Sequence, residues 1–534
     1  MTFRWQQVIL ILLVLVAFLP RALPPRETIN DEANHWIRRS YNFMNGIRYG
    51  KLYVTSQTYH PGVTTMWLTS MGMILVDLTT DEDPADLADY EFYFDHLTTI
   101  HLPLAVVNAA VVLVAYWFMR RLWGGRIALV AAFFWALDPY LIGYQRVLHI
   151  DGLMTSFMTL SFLSGLIAFR FDGPPAEGGG APRWRWLAAS AMFGALATLS
   201  KYTGIYALPV LFLFVIMRHY IQHKTIRFPR VLRKALLIWI LVAGGVVLLL
   251  FPATWAAPLF VIGNFKNAFV VAYREHIIFF NGDVGPSANF GPQLYFAVIL
   301  LRMTPWVMVG LMLAAVGVYR RELKRHNLLW LVLYIVLYWA ATSLQTKKLG
   351  RYMLPLFPIM AIVASIGIVW LWDRLKISKL RYSTPIVGTA GAVLLMLHTA
   401  WYHPYPLSFF NPVLGGGSTA ENIIMIGQGE GLGDAFDYIH ARGCEGGVMI
   451  GLLSVGRAHT DCPIYSPVIS LLDEADYLIM YVSKRQTRDH DHVLDHLGNP
   501  QPDYISNING VEFAHVYDLK QYTVPQGLET ATSR

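Results

Sequence analysis

Residues 204–251 read GIYALPVLFLFVIMRHYIQHKTIRFPRVLRKALLIWILVAGGVVLLLF, and this stretch decides the fold class. An apolar run, 204–217, is followed by a loop, 218–234, that holds Arg218, Lys224, Arg227, Arg230, Arg233 and Lys234. A second apolar run, 235–252, follows the loop. A helix that crosses a bilayer needs roughly 20 apolar residues. Short basic loops between such helices collect on the cytoplasmic side. The stretch therefore predicts two membrane helices joined inside the cell.

The rest of the chain repeats the pattern. Of 534 residues, 55% are apolar and only 14% are charged, whereas soluble domains carry charge on about a quarter of their residues. The mean hydropathy of +0.42 agrees, and a soluble globular enzyme and a disordered chain are both excluded. Further apolar runs lie at 5–19, 97–119, 127–144, 152–169, 186–200, 293–318, 328–345, 352–371 and 384–401. The basic loops 120–126, 170–185, 320–325 and 373–381 fall on the same side as 218–234 if the weaker run 62–77 lies in the outer interface without crossing. About eleven spans result, with the N-terminus inside and the C-terminus outside, in a plasma (inner) membrane. The first run has Arg4 before it and Arg21, Pro24, Pro25 and Arg26 after it, with no small-residue cleavage site. It reads as an uncleaved helix. The net charge of +7, 42 Lys and Arg against 35 Asp and Glu, is the signature of those loops, and no nucleic-acid partner is expected.

The expected organisation is a transmembrane domain over 1–402, with external loops at 24–96 and 253–292, and an external domain over 403–534. After residue 402 the apolar runs shorten to strand length (447–453, 477–482, 512–517) around a helical stretch at 434–441. This predicts a small α/β unit. Cys444 and Cys462 lie in it, where the outside permits a disulfide, and two buried thiols fit the sequence nearly as well.

Ionisable residues at membrane depth are costly, by about 2.5–3.5 kcal/mol on insertion scales, and mark function by default. Here they gather at the outer ends of the runs: Asp31 and Glu32, His60, then Arg146, His149 and Asp151, then Lys201, then Lys347, Lys348 and Arg351. Each has a plain alternative. Asp31 and Glu32 could cap a helix, Arg146 and Asp151 could pair, and Lys347, Lys348 and Arg351 could snorkel. Their convergence from five segments on one level favours a site. Lys and Arg suit an anionic phosphate, and a carboxylate beside it can take a proton from an attacking hydroxyl. Transfer from a lipid-linked phosphate donor fits. No Gly-rich phosphate loop, zinc motif or nucleophile elbow is present in the sequence.

At these residues the chain resembles the family 39 glycosyltransferases, the protein O-mannosyltransferase-like group of the polytopic GT-C superfamily. The motifs are Asp31-Glu32, His60-Pro61, Ala136-Leu-Asp-Pro139, Arg146, Asp151-Gly-Leu-Met154, Leu199-Ser-Lys-Tyr-Thr-Gly204 and Lys348-Leu-Gly-Arg-Tyr-Met-Leu-Pro355. Ser408-Phe-Phe-Asn-Pro-Val-Leu-Gly-Gly416 and Gly427-Gln-Gly-Glu-Gly431 look like the pattern of bacterial members with an external C-terminal domain. The resemblance implies a hexosyl- or pentosyltransferase, mannosyltransferase-like, that uses a polyprenyl-phosphate sugar and inverts the anomeric centre. It implies that Asp31 is the catalytic acidic position and Glu32 its neighbour. It implies that His60, Arg146, Asp151 and Lys201 line the donor and acceptor cavity, and that Lys347, Lys348 and Arg351 sit near the lipid phosphate, as in the related aminoarabinose transferases. Gly62 and Val63 follow His60-Pro61 in place of a second Pro, and the central MIR-type domain is absent, so a glycan, lipid or protein acceptor is left open. The scheme requires no cofactor or metal, and leaves room for a divalent cation on the leaving phosphate. The rival class is a transporter or flippase of an anionic lipid or solute. Transporters usually bind near the midplane between repeats, whereas these ionisable residues are one-sided and unrepeated.

Overall fold

A computed structural model describes residues 3–23, 31–80, 90–172, 181–224, 230–323, 325–375 and 383–522. Parts of the expected loops (24–30, 173–180, 225–229 with Arg227, and 376–381) lie outside the described residues. The chain is mostly helical. In order come α1 (Phe3–Ala22), α2 (Ile37–Arg48), α3 (Val63–Thr79), α4 (Leu97–Trp123), α5 (Gly125–Ala136), α6 (Pro139–Arg146), α7 (Ile150–Ala168) and α8 (Trp184–Ser200). Then follow α9 (Ala207–His223), α10 (Arg230–Leu250), α11 (Ala253–Ala256), α12 (Pro258–Ala272) and a hairpin of β1 (Ile277–Phe280) and β2 (Asp283–Pro286). The helical part closes with α13 (Gln293–Arg302), α14 (Pro305–Tyr319), α15 (Arg325–Ser343), α16 (Phe357–Arg374) and α17 (Ser383–Trp401).

Among the described residues, five helices are long and apolar enough to cross a membrane, or up to seven if each of two bent pairs is one span. The chain is a multi-pass membrane protein. All eleven apolar runs form helices, yet two that read as continuous are broken. The 127–144 run bends by 60° between α5 and α6, and the 293–318 run bends by 112° between α13 and α14. The cause of the first break is local. Asp138 caps α6 by accepting the Leu141 N–H at 3.0 Å, and Pro139 takes the first helical position, where its missing N–H costs nothing. Pro305 opens α14 in the same way. Four other apolar helices, 7–22, 63–79, 328–343 and 387–401, have only 10–17 residues by the same measure.

α7 is the centre of the helical part. Every one of its residues is buried, and it packs between α4 and α8. Its start presses onto the end of α6 because Gly152 has no side chain: a Cβ there would lie 2.2 Å from the Tyr144 carbonyl oxygen. Buried polar groups tie this centre together. Arg21 on α1 donates to Gln145 Oε1 (3.0 and 2.6 Å) and to the carbonyls of Ala17 and Ala136. Gln145 donates to Ser156, which donates to Asn108 on α4 (2.9 Å each). A buried cation is tolerable only when its hydrogen bonds are made in this way. The network locks the α6–α7 turn, which carries part of the site.

After residue 402, five strands form one mixed sheet in the order β4 (Ile464–Tyr465), β3 (Val448–Ile450), β5 (Tyr477–Tyr481), β7 (Val511–Asp518), β6 (Tyr504–Ile508). β4, β3 and β5 run parallel, while β5–β7 and β7–β6 are antiparallel. Short helices α18 (Gly416–Ile423) and α19 (Leu432–His440) precede the sheet. β6 and β7 are joined at Asn509 and Gly510, both with positive φ (52° and 81°), as the favoured two-residue hairpin turn requires. Cys444 and Cys462 are bridged, with Cα atoms 6.1 Å apart.

Candidate active site

Asp31 lies at the start of a π-helical turn, Glu32–Trp36, that leads into α2. Its side chain makes no capping bond, so the helix-cap alternative does not describe what it does. Instead Oδ2 meets His149 Nε2 at 3.0 Å and Arg351 Nη2 at 3.0 Å. His149 caps α7, its Nδ1 accepting the Asp151 N–H at 3.1 Å. An imidazole nitrogen that accepts carries no proton, which assigns the proton to Nε2 and makes His149 the donor to Asp31. Arg351, on a 3₁₀ turn ahead of α16, also reaches Asp151 Oδ2 through Nε at 3.4 Å. Lys201 completes the cluster, with Nζ 2.6 Å from Asp151 Oδ1 and 4.3 Å from the centroid of the Tyr352 ring. Asp151 is fully buried, near the N-terminus of α7, where the helix dipole also favours a carboxylate.

Asp31 remains 23% exposed, at the wall of a cavity of ≈ 410 Å³. Burial alone would raise its carboxyl, but the Arg351 charge and the His149 hydrogen bond hold it well below the usual carboxylate range. The cavity wall carries seven Lys and Arg side chains (Arg39, Lys201, Arg302, Lys347, Lys348, Arg351 and Lys484) against two carboxylates, Asp31 and Asp151. Such a surplus attracts anions. Burial and the neighbouring Arg351 lower the Lys347 ammonium, as expected of a cation facing other cations. Lys348 is more enclosed, and its Nζ donates to the Ser287 carbonyl at 3.3 Å.

His60 also lines the cavity, stacked on Tyr202 with ring centroids 5.2 Å apart. Burial, with Lys201 nearby, pushes its imidazole well below the ordinary value. The structure explains why glycine follows His60-Pro61. Gly62 has φ +59°, its N–H donates to the Ser200 carbonyl at 3.1 Å, and a Cβ there would lie 2.1 Å from the Trp36 ring. Proline can meet neither the positive φ nor the donor requirement.

Of the nine residues expected from sequence, the structure brings Asp31, His60, Asp151, Lys201, Lys347, Lys348 and Arg351 to this cavity. Glu32 and Arg146 are elsewhere. Glu32 is fully buried, and its Oε1 meets His101 Nε2 at 2.5 Å and accepts the Leu148 N–H at 2.8 Å. Arg146 donates to the Pro404 carbonyl at 3.0 Å, and Asp151 is met by Lys201, Arg351 and His149. Arg302, Tyr140, Tyr144 and residues 424–426, which no sequence motif marks, also line the cavity, together with Gly427 and Gln428 of the Gly427-Gln-Gly-Glu-Gly431 run. Arg302 carried a legible signal, being a lone cation inside an apolar run. It donates to the carbonyls of Leu407 (2.6 Å) and Phe409 (2.7 Å) and lies over the Phe410 ring. Among the described residues, no group of three or more His, Cys, Asp or Glu side chains is arranged to hold a metal ion.

Residues 92–251 match the dolichyl-phosphate-mannose-protein mannosyltransferase family. In structure, the chain is similar to ArnT from Cupriavidus metallidurans bound to undecaprenyl phosphate, with 15% identity and TM-score 0.50 over 86% of this chain and 75% of that one. It is also similar to the archaeal oligosaccharyltransferase AglB from Archaeoglobus fulgidus in complex with an inhibitory peptide and a dolichol-phosphate, at 14% identity and TM-score 0.49 over 91% and 70%. No curated protein matches in a sequence comparison. The chain thus shares its fold with ArnT and is similar, over residues 92–251, to the dolichyl-phosphate-mannose-protein mannosyltransferase family.

Proposed function

We propose that the protein transfers a sugar from a polyprenyl-phosphate donor to a hydroxyl acceptor on the extracytoplasmic face, with inversion at the anomeric carbon. One observation carries this reading: a half-enclosed carboxylate, Asp31, shares a cavity with a surplus of lysine and arginine side chains. In the reaction, the acceptor oxygen bonds to the anomeric carbon and its proton passes to Asp31. The bond from that carbon to the phosphate oxygen breaks on the opposite side, and the polyprenyl phosphate leaves with the electron pair. Lys347 and Arg351 stabilise the leaving charge, as fixed cations do without reorganising. Asp151 holds Lys201 and Arg351 in place.

The Arg351–Asp31 pair adds a coupling. Donor phosphate competes for Arg351 and releases Asp31 from the charge that keeps its carboxyl low. The acid limb of kcat/KM reports the free enzyme, and that of kcat reports the complex. The acid limb of kcat should therefore lie at higher pH than that of kcat/KM. Coincident limbs would show that the phosphate does not touch Arg351.

Lys347→Ala tests the phosphate contact most cleanly, because Lys347 forms no ion pair among the described residues. A charge-assisted hydrogen bond is worth about 1.5–3 kcal/mol, so donor affinity should fall about 10- to 150-fold. Unchanged affinity would return Lys347 to a surface anchor. The mechanism itself is tested by the product. Its anomeric configuration, read by NMR, should be opposite to that of the donor, and retention would contradict direct displacement.

A further inference from the structure

The Gly427-Gln-Gly-Glu-Gly431 run has no part in the scheme above. Glycine-rich turns often offer free backbone N–H groups to a phosphate, but here those groups are already used. The N–H groups of Gln428 and Gly429 donate to Glu430 Oε2 at 2.6 and 3.1 Å, and the Tyr481 hydroxyl donates to the same oxygen at 2.9 Å. Glu430 is 1% exposed. A ligand phosphate would have to expel this carboxylate, so the turn is not a phosphate cradle.

It is instead a rigid support. Gly427 has φ +94°, and a Cβ there would lie 2.6 Å from Val482 and 2.7 Å from the Tyr481 ring. Gln486 braces the segment before it, accepting the Ile426 N–H and donating to the Ile424 carbonyl, both at 3.0 Å. Of the lining residues 424–428, Gln428 is the one with a polar side chain; it is half-buried, and its side-chain amide makes no hydrogen bond among the described residues. An amide both donates and accepts, which matches a sugar hydroxyl and not a lipid tail. Lys347 and Arg351 line the same cavity, so a sugar carried on the phosphate they hold shares that space with the C-terminal segment.

We infer that Gln428 binds hydroxyls of the donor sugar, with Glu430 as its positioning residue, so that the C-terminal segment selects which lipid-linked sugar is used. This rests on the polyprenyl-phosphate donor reading. The test is equilibrium binding to full-length protein in nanodiscs, with bare polyprenyl phosphate and a panel of polyprenyl-phosphate hexoses and pentoses as probes. Wild type binds its preferred sugar-lipid more tightly than bare lipid. Gln428→Ala loses about three- to tenfold of that preference and binds bare lipid as before. Glu430→Gln, checked for folding by size exclusion, shows the same selective loss. An unchanged preference in Gln428→Ala, or an equal loss for bare lipid, overturns the inference while leaving the donor reading intact. Wild type that binds none of the lipids overturns both.

Discussion

Asp31→Asn should lower kcat by about 10²–10⁴-fold, the range for removal of a general base, while donor binding persists. The substitution keeps the shape of the side chain and can still accept the His149 N–H, but it can no longer take a proton from the acceptor. Binding is preserved because Arg351 keeps Asp151 as its second partner. Asp31 makes no capping bond, but its charge pairs with Arg351 and His149, so part of its stabilisation is lost with it and the folded fraction is measured beside the rate. The obvious substitute base, Glu32, is buried against His101, so Glu32→Gln should change stability and leave the chemical step nearly intact. Normal turnover by Asp31→Asn, measured as single-turnover transfer, would move the base to another group.

Lys201→Ala should be the most destabilising single change at the site. It strips the closest partner from a fully buried carboxylate, Asp151. Breaking a buried pair by removing one member costs about 3–5 kcal/mol, and the remaining Arg351 contact favours the lower end. The pair itself contributes less than that loss, so Lys201→Met combined with Asp151→Asn should recover much of the stability without recovering activity. The midpoint of unfolding in detergent checks both statements. A Lys201→Ala protein as stable as wild type would mean that Asp151 is not held as an ion.

How far the sequence carries the reader depends on the residue. Asp31, Lys201, Lys347 and Arg351 stand out because charge at the end of an apolar run is costly enough to need a reason. Glu32 shows the limit of reading neighbours together. Successive residues of a helical turn point in different directions, so the turn that aims Asp31 at the cavity buries Glu32 against His101. Arg146 ends α6 facing Pro404, a contact 258 residues away in sequence that no local pattern announces. The breaks at Asp138-Pro139 and Thr304-Pro305 were legible as cap-and-proline signals, yet the hydropathy of each run reads continuously across them. The Asn509-Gly510 hairpin was legible too, while β4, two residues long, offers no periodicity to read. Gln428 and Lys484 reach the cavity only through the fold of the C-terminal segment, which brings residues some 400 positions from Asp31 in sequence to the same cavity.

The measurement that bears most directly on the central claim is the movement of label from lipid to acceptor. Purified protein in nanodiscs is incubated with polyprenyl-phosphate sugars labelled in the sugar, together with membrane extracts as a source of acceptor. The account predicts that one labelled sugar passes to a hydroxyl-bearing product while unlabelled polyprenyl phosphate is released in equal amount, and that Asp31→Asn fails to do so. Label that stays on the polyprenyl phosphate and merely appears in the opposite leaflet, equally with wild type and Asp31→Asn, would contradict it and identify a transporter.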